Sequence, residues 1–361
     1  MTAVPDVLYR VPVALSIALS VAFSVALTVA LFVGFAAVIG AGFVGFNSLA
    51  CFAHENMKVS ATDAARRTLV FPAPFSLGSL VLVPNSTSGP DTDIQTSSIG
   101  QAKGTVIFDL PKSMAVALVM SNQALAKPQV LASLNGAGID ALKVSFYGED
   151  ETERKYCDSA LQYLPRFKDL QTLSLDHSDS GDAGLTKIGL SKNLRTISGF
   201  MCRVRGDCFK DLRTLPLLSR VDFEHCGIRE ENLRYLAEIP NLRKLGLGHI
   251  ELTDKGLGYV CKCQSLTSLR IQDNTSISEP GLKQVLALKH LTNLDIRKTA
   301  ATMNSIAQLK SMPLKTLWLS DKFLTPTYKA RIQAMFPHTE LCSMRKSADT
   351  KEDEYVFGKL H

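Results

Sequence analysis

Three histidines and an aspartate recur at one phase of the chain: His177, His225, His249 and Asp273, separated by 48, 24 and 24 residues. Imidazole nitrogen and carboxylate oxygen are common zinc ligands. Residues so spaced can fall on neighbouring strands, about 4.8 Å apart. His225, His249 and Asp273 would then come within reach of one ion, as in a hydrolase or another metal-dependent enzyme. Parallel strands, however, present such side chains side by side rather than around a point. The sequence carries no Ser/His/Asp order, nucleophile elbow, phosphate loop or paired carboxylates in a defined pocket. The preferred reading is a protein without enzyme activity and without a cofactor. The histidine column is kept as the alternative.

A repeat of about two dozen residues sets that phase. It runs as Leu170/Leu173/Leu175, Leu194/Ile197/Gly199, Leu218/Val221/Phe223, Leu242/Leu245/Leu247, Leu266/Leu269/Ile271, Leu291/Leu294/Ile296 and Leu314/Leu317/Leu319. Eight residues after each first leucine stand Ser178, Cys202, Cys226, Ile250, Asn274, Thr299 and Lys322. Small polar side chains at this place can satisfy loop backbone groups; Ile250 and Lys322 predict breaks in that ladder. Helix-start signals follow in Asp182-Ala-Gly-Leu185, Thr253-Asp254-Lys-Gly-Leu257 and Ser278-Glu279-Pro-Gly-Leu282. Thr, Ser and Asp cap helices, and Pro216, Pro240 and Pro313 mark where each helix has ended. Each unit therefore predicts strand, turn and short helix. One unit cannot bury its apolar faces alone, so only the stacked array folds.

The pattern resembles the leucine-rich repeat, L-x-x-L-x-L-x-x-N/C-x-L, in its cysteine-containing, ribonuclease-inhibitor-like form, over roughly residues 135 to 340. The resemblance implies an α/β fold: a right-handed solenoid with a parallel sheet on its concave side. It also implies a binding surface rather than an active site.

Strand alternation then places the residues between the leucines on the concave sheet. Those singled out for partner binding are Phe200, Arg220, Asp222, Glu224, Lys244, Arg270, Gln272, Asp295, Arg297 and Trp318. Charges mixed with an aromatic anchor suit recognition of a protein. For Trp318 a second reading stays open, in which the C-terminal segment covers it as part of a cap.

From Val11 to Phe46 there is no charged residue. About twenty apolar residues span a bilayer, so this stretch is expected to be a single-pass transmembrane helix. Ala14, Ala18, Ala22, Ala26 and Ala30 lie one turn apart, a spacing that permits helix–helix self-association in the membrane. Cleavage near Ser48-Leu49-Ala50, or lipidation at Cys51, is the alternative. The repeats are expected on the extracytoplasmic side. The chain divides into a tail at 1–10, an anchor at 11–46, a linker and small β-rich cap at 47–134, the repeats at 135–343 and a charged tail at 344–361. In the cap region Ser79–Val83, Gly104–Phe108 and Met114–Met120 read as strands of an antiparallel unit, with Pro111-Lys112 turning the last pair. The unit resembles the strand pair that precedes the array in bacterial membrane-anchored leucine-rich-repeat proteins. Ala330–Phe336 reads as the closing helix.

The formal net charge is +6, from 40 basic and 34 acidic residues spread along the chain. No basic cluster is interleaved with aromatics, which argues against nucleic-acid binding. Cys261-Lys-Cys263 lacks the pair spacing of zinc sites and reads as structural. A membrane-anchored protein-interaction module is the leading reading, and a cell-envelope structural protein without a defined ligand is the third.

Overall fold

Strands of the repeat region are three residues long, and the middle residue is an apolar side chain aimed inward. These are β7 (Thr172–Ser174), β8 (Thr196–Ser198), β9 (Arg220–Asp222), β10 (Lys244–Gly246), β11 (Ser268–Arg270), β12 (Asn293–Asp295) and β13 (Thr316–Trp318). Leu173, Ile197, Val221, Leu245, Leu269, Leu294 and Leu317 are paired in register, one repeat to the next, and all the pairing is parallel. All seven are buried. The computed structural model describes residues 64–85 and 97–343. The anchor expected at Val11–Phe46, Cys51 and the tail at 344–361 lie outside the described residues. Among the described residues no helix is long and apolar enough to cross a membrane.

The sheet extends beyond the repeats at both ends. Before them come β5 (Met114–Met120) and β6 (Ala141–Lys143), both joined in parallel. Two antiparallel strands follow outward, β2 (Gly78–Pro84) and then β3 (Ser97–Gln101). After the repeats comes β14 (Glu340–Cys342). The expected strands are present, but one pairing differs. The chain does turn at Pro111-Lys112, yet β4 (Gly104–Pro111) pairs with β1 (Ala64–Phe71) in a separate two-stranded ribbon. The reason lies in burial. Five of the seven residues of β5 are buried, and a strand covered on both faces suits the interior of a parallel sheet. Only Leu110 is buried in β4, as expected of a ribbon with one wet face. The closing helix spans Pro326–Met335 and ends on buried Phe336.

The small polar ladder is present. Ser178 and Thr299 donate their hydroxyls to Leu175 O and Ile296 O at 2.7 and 2.8 Å. The Cys226 thiol lies 3.0 Å from Gly199 O, and the Cys202 and Cys226 sulfurs are 3.5 Å apart. At Ile250, where the ladder breaks, Asn274 reaches back from the next repeat. Its Oδ1 accepts from Ile250 N and Leu252 N at 3.1 and 2.9 Å, and its Nδ2 donates to Leu247 O at 2.8 Å. One buried amide thus serves two loops. Burial pushes the thiols of Cys261 and Cys263 up to about 12, as befits inert apolar packing.

On the helix side a second, acidic ladder joins the repeats. Asp158 Oδ1 accepts from Gly181 N at 2.8 Å, and Asp182 accepts from Arg205 N and Cys208 N at 2.7 and 2.8 Å. Glu230 accepts from Thr253 N, and Asp254 from Ser278 N, at 2.6 and 2.8 Å. Each carboxylate faces the start of the following helical segment, where backbone N–H groups lack helical partners.

Candidate partner-binding face

Alternation along each strand brings most of the predicted residues onto the polar face of the sheet, in three groups. The first is centred on β10, where Lys244 and Gly246 lie on this face and Gly248 follows just beyond the strand. Without side chains at the two glycines, groups from the flanking strands meet across the gap. Arg270 Nη2 lies 2.6 Å from Asp222 Oδ2 and 2.7 Å from Glu224 Oε1. Gln272 Nε2 donates to Glu224 Oε2 at 2.9 Å, and Arg220 Nη2 lies 3.1 Å from Asp222 Oδ2. A β-carbon at Gly246 would overlap the Asp222 carboxylate, and one at Gly248 the Gln272 amide.

Burial governs the electrostatics of this group. Glu224 is pushed up to about 7, first by desolvation, against the lowering effect of Arg270. The repulsion of Asp222 adds to the rise. Lys244 is held below the usual lysine range by burial and then by the nearby Arg220 and Arg270 guanidinium groups. Arg220 and Lys244 are direct register neighbours on β9 and β10.

The second group lies on and just after β12 and on β13, two and three strands from β10. Arg297 grips Asp295 through Nε and Nη2, the latter at 2.6 Å. Its guanidinium carbon stands 4.8 Å from the centroid of the Trp318 ring. Arg297 and Asp295 are 4% and 2% exposed, so this pair acts as structure beneath a half-buried tryptophan. Asp222 and Glu224 are also buried. The half-exposed members of the predicted set are Phe200, Arg220, Lys244, Arg270, Gln272 and Trp318.

Phe200 forms the third group with the histidines. Its ring packs edge-on against His177 and His225, with centroids 5.1 and 4.8 Å apart, and His225 stacks on His249 at 4.2 Å. The alternative of a metal held by His225, His249 and Asp273 finds no ligand set here. The imidazoles are face to face, and Asp273 Oδ1 pairs with Lys298 Nζ at 2.8 Å. Among the described residues no group of three or more His, Cys, Asp or Glu could hold a metal.

Backbone geometry gives the column its own explanation. His177, Met201, His225, His249, Asp273 and Lys298 all have φ between 51° and 59°. Each lies three residues beyond its strand, in the left-handed region, where His and Asp are over-represented among non-glycine residues. Their N–H groups bond to the next repeat: His225 N to Gly248 O and His249 N to Gln272 O, both at 3.0 Å. The histidine phase therefore marks a turn. One part of the face escaped the sequence reading. Lys143 lies on it through β6, whose irregular spacing hid its register. Asp176 is buried, binding the Ser174 and Ser198 hydroxyls at 2.7 and 3.2 Å and Phe200 N at 2.8 Å.

The buried leucines, in-register parallel strands and polar ladder are the features through which the sequence resembles leucine-rich repeats, and all are present. No protein-family model matches the chain, and no curated protein does. Among solved structures, an internalin (inlF) from Listeria monocytogenes is similar at 20% identity and a TM-score of 0.41. The match covers 59% of this chain and 56% of that one. Human 5T4, the trophoblast glycoprotein, is similar at 17% identity and a TM-score of 0.39, covering 57% of this chain and 75% of its own. The chain thus spans little more than half the length of the internalin.

Proposed function

We propose that this protein is a membrane-anchored interaction module. A protein partner binds the concave, polar face of a right-handed leucine-rich-repeat solenoid, and the module has no enzyme activity. The observation that carries this reading is the lattice across Gly246 and Gly248. Arg270 is held by Asp222 and Glu224, so its half-exposed guanidinium is already fixed before a partner arrives. Pre-ordered side chains lose little entropy on binding. Phe200 and Trp318 flank this polar centre and supply aromatic contact area. The uncharged run Val11–Phe46 supports a single-pass anchor, with the repeats on the extracytoplasmic side.

The test uses the full chain in detergent and affinity capture from a lysate of its source. Phe200→Ala, Lys244→Gln and Trp318→Ala should each weaken capture of the same partner. Lys283→Gln, an exposed position in the helix Glu279–Gln284, should leave it unchanged. Equal loss in all four, or in none, would sink the assignment to this face. Extraction of the intact chain by alkaline carbonate would separately refute the anchor.

A further inference from the structure

We propose that a cleft on the helix side of the first repeats, walled by Ser159, Tyr163, Arg166 and Lys187, binds a small molecule that carries a phosphate monoester on an apolar body. The cleft is built on helical segments and not on the polar sheet face, so it is independent of the partner-binding reading.

Local structure assembles the cleft. Ser159, Gln162, Tyr163 and Arg166 are spaced i, i+3, i+4 and i+7, one face of a helical stretch that runs through Tyr156–Leu161 and Leu164–Arg166. Pro128 opens the preceding segment Pro128–Ser133, and Lys187 lies in the following one, Gly184–Leu190. With Pro165, these residues line a cleft of about 500 Å³, within the range of roughly 300–1,000 Å³ that holds small molecules. Gln162 fixes one wall. Its Nε2 donates to Ala183 O at 2.9 Å, and its Oε1 accepts from Thr186 Oγ1 at 3.4 Å. Tyr163 is half-buried and packs against the core, so its ring is held before a ligand arrives.

The lining selects the charge of the ligand. It offers the Ser159 and Tyr163 hydroxyls, the Arg166 guanidinium and the Lys187 ammonium, and no lining residue is acidic. The carboxylates nearest in sequence point elsewhere. Asp158 and Asp182 accept from backbone N–H groups of the following repeat, and Asp169 accepts from Gly138 N at 2.7 Å. Two cations balance a dianion better than the single charge of a carboxylate, and a phosphate monoester carries about −1.5 to −2 near neutral pH. A guanidinium grips two phosphate oxygens as a fork, and an ammonium serves as a point charge beside it. Ser159, Arg166 and Lys187 are exposed, so the anion enters from the open side. Pro128, Pro165 and the Tyr163 ring give rigid apolar surface next to this pole, where the rest of the ligand rests.

The test is isothermal titration calorimetry on the full chain in detergent at low salt, with phenyl phosphate, inorganic phosphate and benzoate as probes. Phenyl phosphate should bind with one-to-one stoichiometry, about tenfold more tightly than either of the others. Its affinity should fall from pH 7 to pH 5, as the phosphate takes up its second proton near about 6. Arg166→Gln and Lys187→Gln should each weaken it about tenfold, the loss expected for one hydrogen bond to a charged group. Lys283→Gln, exposed on a later helix, should leave it unchanged. All three variants replace exposed side chains, and melting temperatures equal to wild type should show that each is folded. No binding of phenyl phosphate up to about 10 mM, unchanged affinity in Arg166→Gln and Lys187→Gln, or an equal loss in Lys283→Gln overturns the site. Benzoate binding as tightly overturns the choice of a dianion, and inorganic phosphate binding as tightly overturns the apolar body. A phosphotyrosine peptide that binds about tenfold more tightly than phenyl phosphate overturns the choice of a small molecule.

Discussion

Gly281 stands where a β-carbon would overlap the Asp254 carboxylate. Asp254 opens the helix Asp254–Val260, and Gly281 lies one repeat later in Glu279–Gln284. The same relation holds between Glu230 and Gly256 and between Asp158 and Gly184. At the equivalent place Asn232 fills the gap instead and donates to Asp207 Oδ1 at 2.9 Å. The glycine after each acidic helix start therefore makes room for the carboxylate of the repeat before it.

Gly281→Ala should accordingly destabilise the protein. In an open helix, Gly→Ala gains about 0.5–1 kcal/mol. Here the methyl group meets a carboxylate held by Ser278, and a loss of about 1–3 kcal/mol is expected from the forced shift. Gly227→Ala, with open space around the added carbon, is the control. A melting temperature for Gly281→Ala at or above wild type would show that the acidic ladder yields easily.

Asn274→Leu should be more severe. It keeps the volume but orphans Ile250 N, Leu252 N and Leu247 O in a fully buried place. Each buried unpaired group costs about 1–3 kcal/mol, so a loss on the order of 3–5 kcal/mol is expected. Urea unfolding midpoints measure it. Thr299→Val, which removes one hydroxyl bond to Ile296 O, should cost far less; equal losses would refute the two-repeat role of Asn274.

These two sites also show what could be read from the sequence and what could not. Leucine spacing predicted the strand phase, because a period of 24 leaves only one register that buries Leu173, Ile197 and Val221 together. The break at Ile250 was legible; its repair by Asn274 was not, since which repeat a side chain serves is a matter of geometry. The glycine in Asp182-Ala-Gly-Leu185 was visible only as a helix start, because its reason lies 26 residues upstream at Asp158. Strand β14 was missed although Leu341 follows Leu317 by 24 residues, because no leucine marks the start of that unit. The residues singled out for partner binding were legible only as positions alternating along the strands. Their division into exposed cations and buried pairs was not, since burial depends on what sits across Gly246 and Gly248.

Stability should fall as pH rises through the range set by Glu224. Its folded-state value of about 7 lies above the ordinary 4.5. The folded state therefore holds a proton that the unfolded state has lost, and its stabilising contribution is complete below about 4.5 and gone above about 7. Asp140, Asp158 and Asp295 are raised too, chiefly by burial, and act in the same direction. The difference between wild type and Glu224→Gln isolates the one group. Across pH 4.5 to 7.5 the wild type should lose melting temperature relative to the variant, with the gap opening between about 4.5 and 7. Parallel curves for the two proteins would place Glu224 outside this linkage.

Trp318 is the chain's single tryptophan, so its emission reports on one site. It lies against the Arg297 guanidinium and is paired in register with Cys342 of β14. Trp318→Ala removes a cation–π contact worth about 0.5–2 kcal/mol, and a modest fall in melting temperature is expected from that alone. As the aromatic anchor for a partner, the same truncation should cost about 2 kcal/mol or more in binding. Trp318→Phe, which keeps a ring over Arg297, should recover most of the stability and part of the affinity. Partner addition should also shift Trp318 emission in the wild type. If binding falls only in step with the unfolded fraction, and emission is unmoved by the partner, Trp318 belongs to the cap formed with β14 and the anchor lies elsewhere on the face.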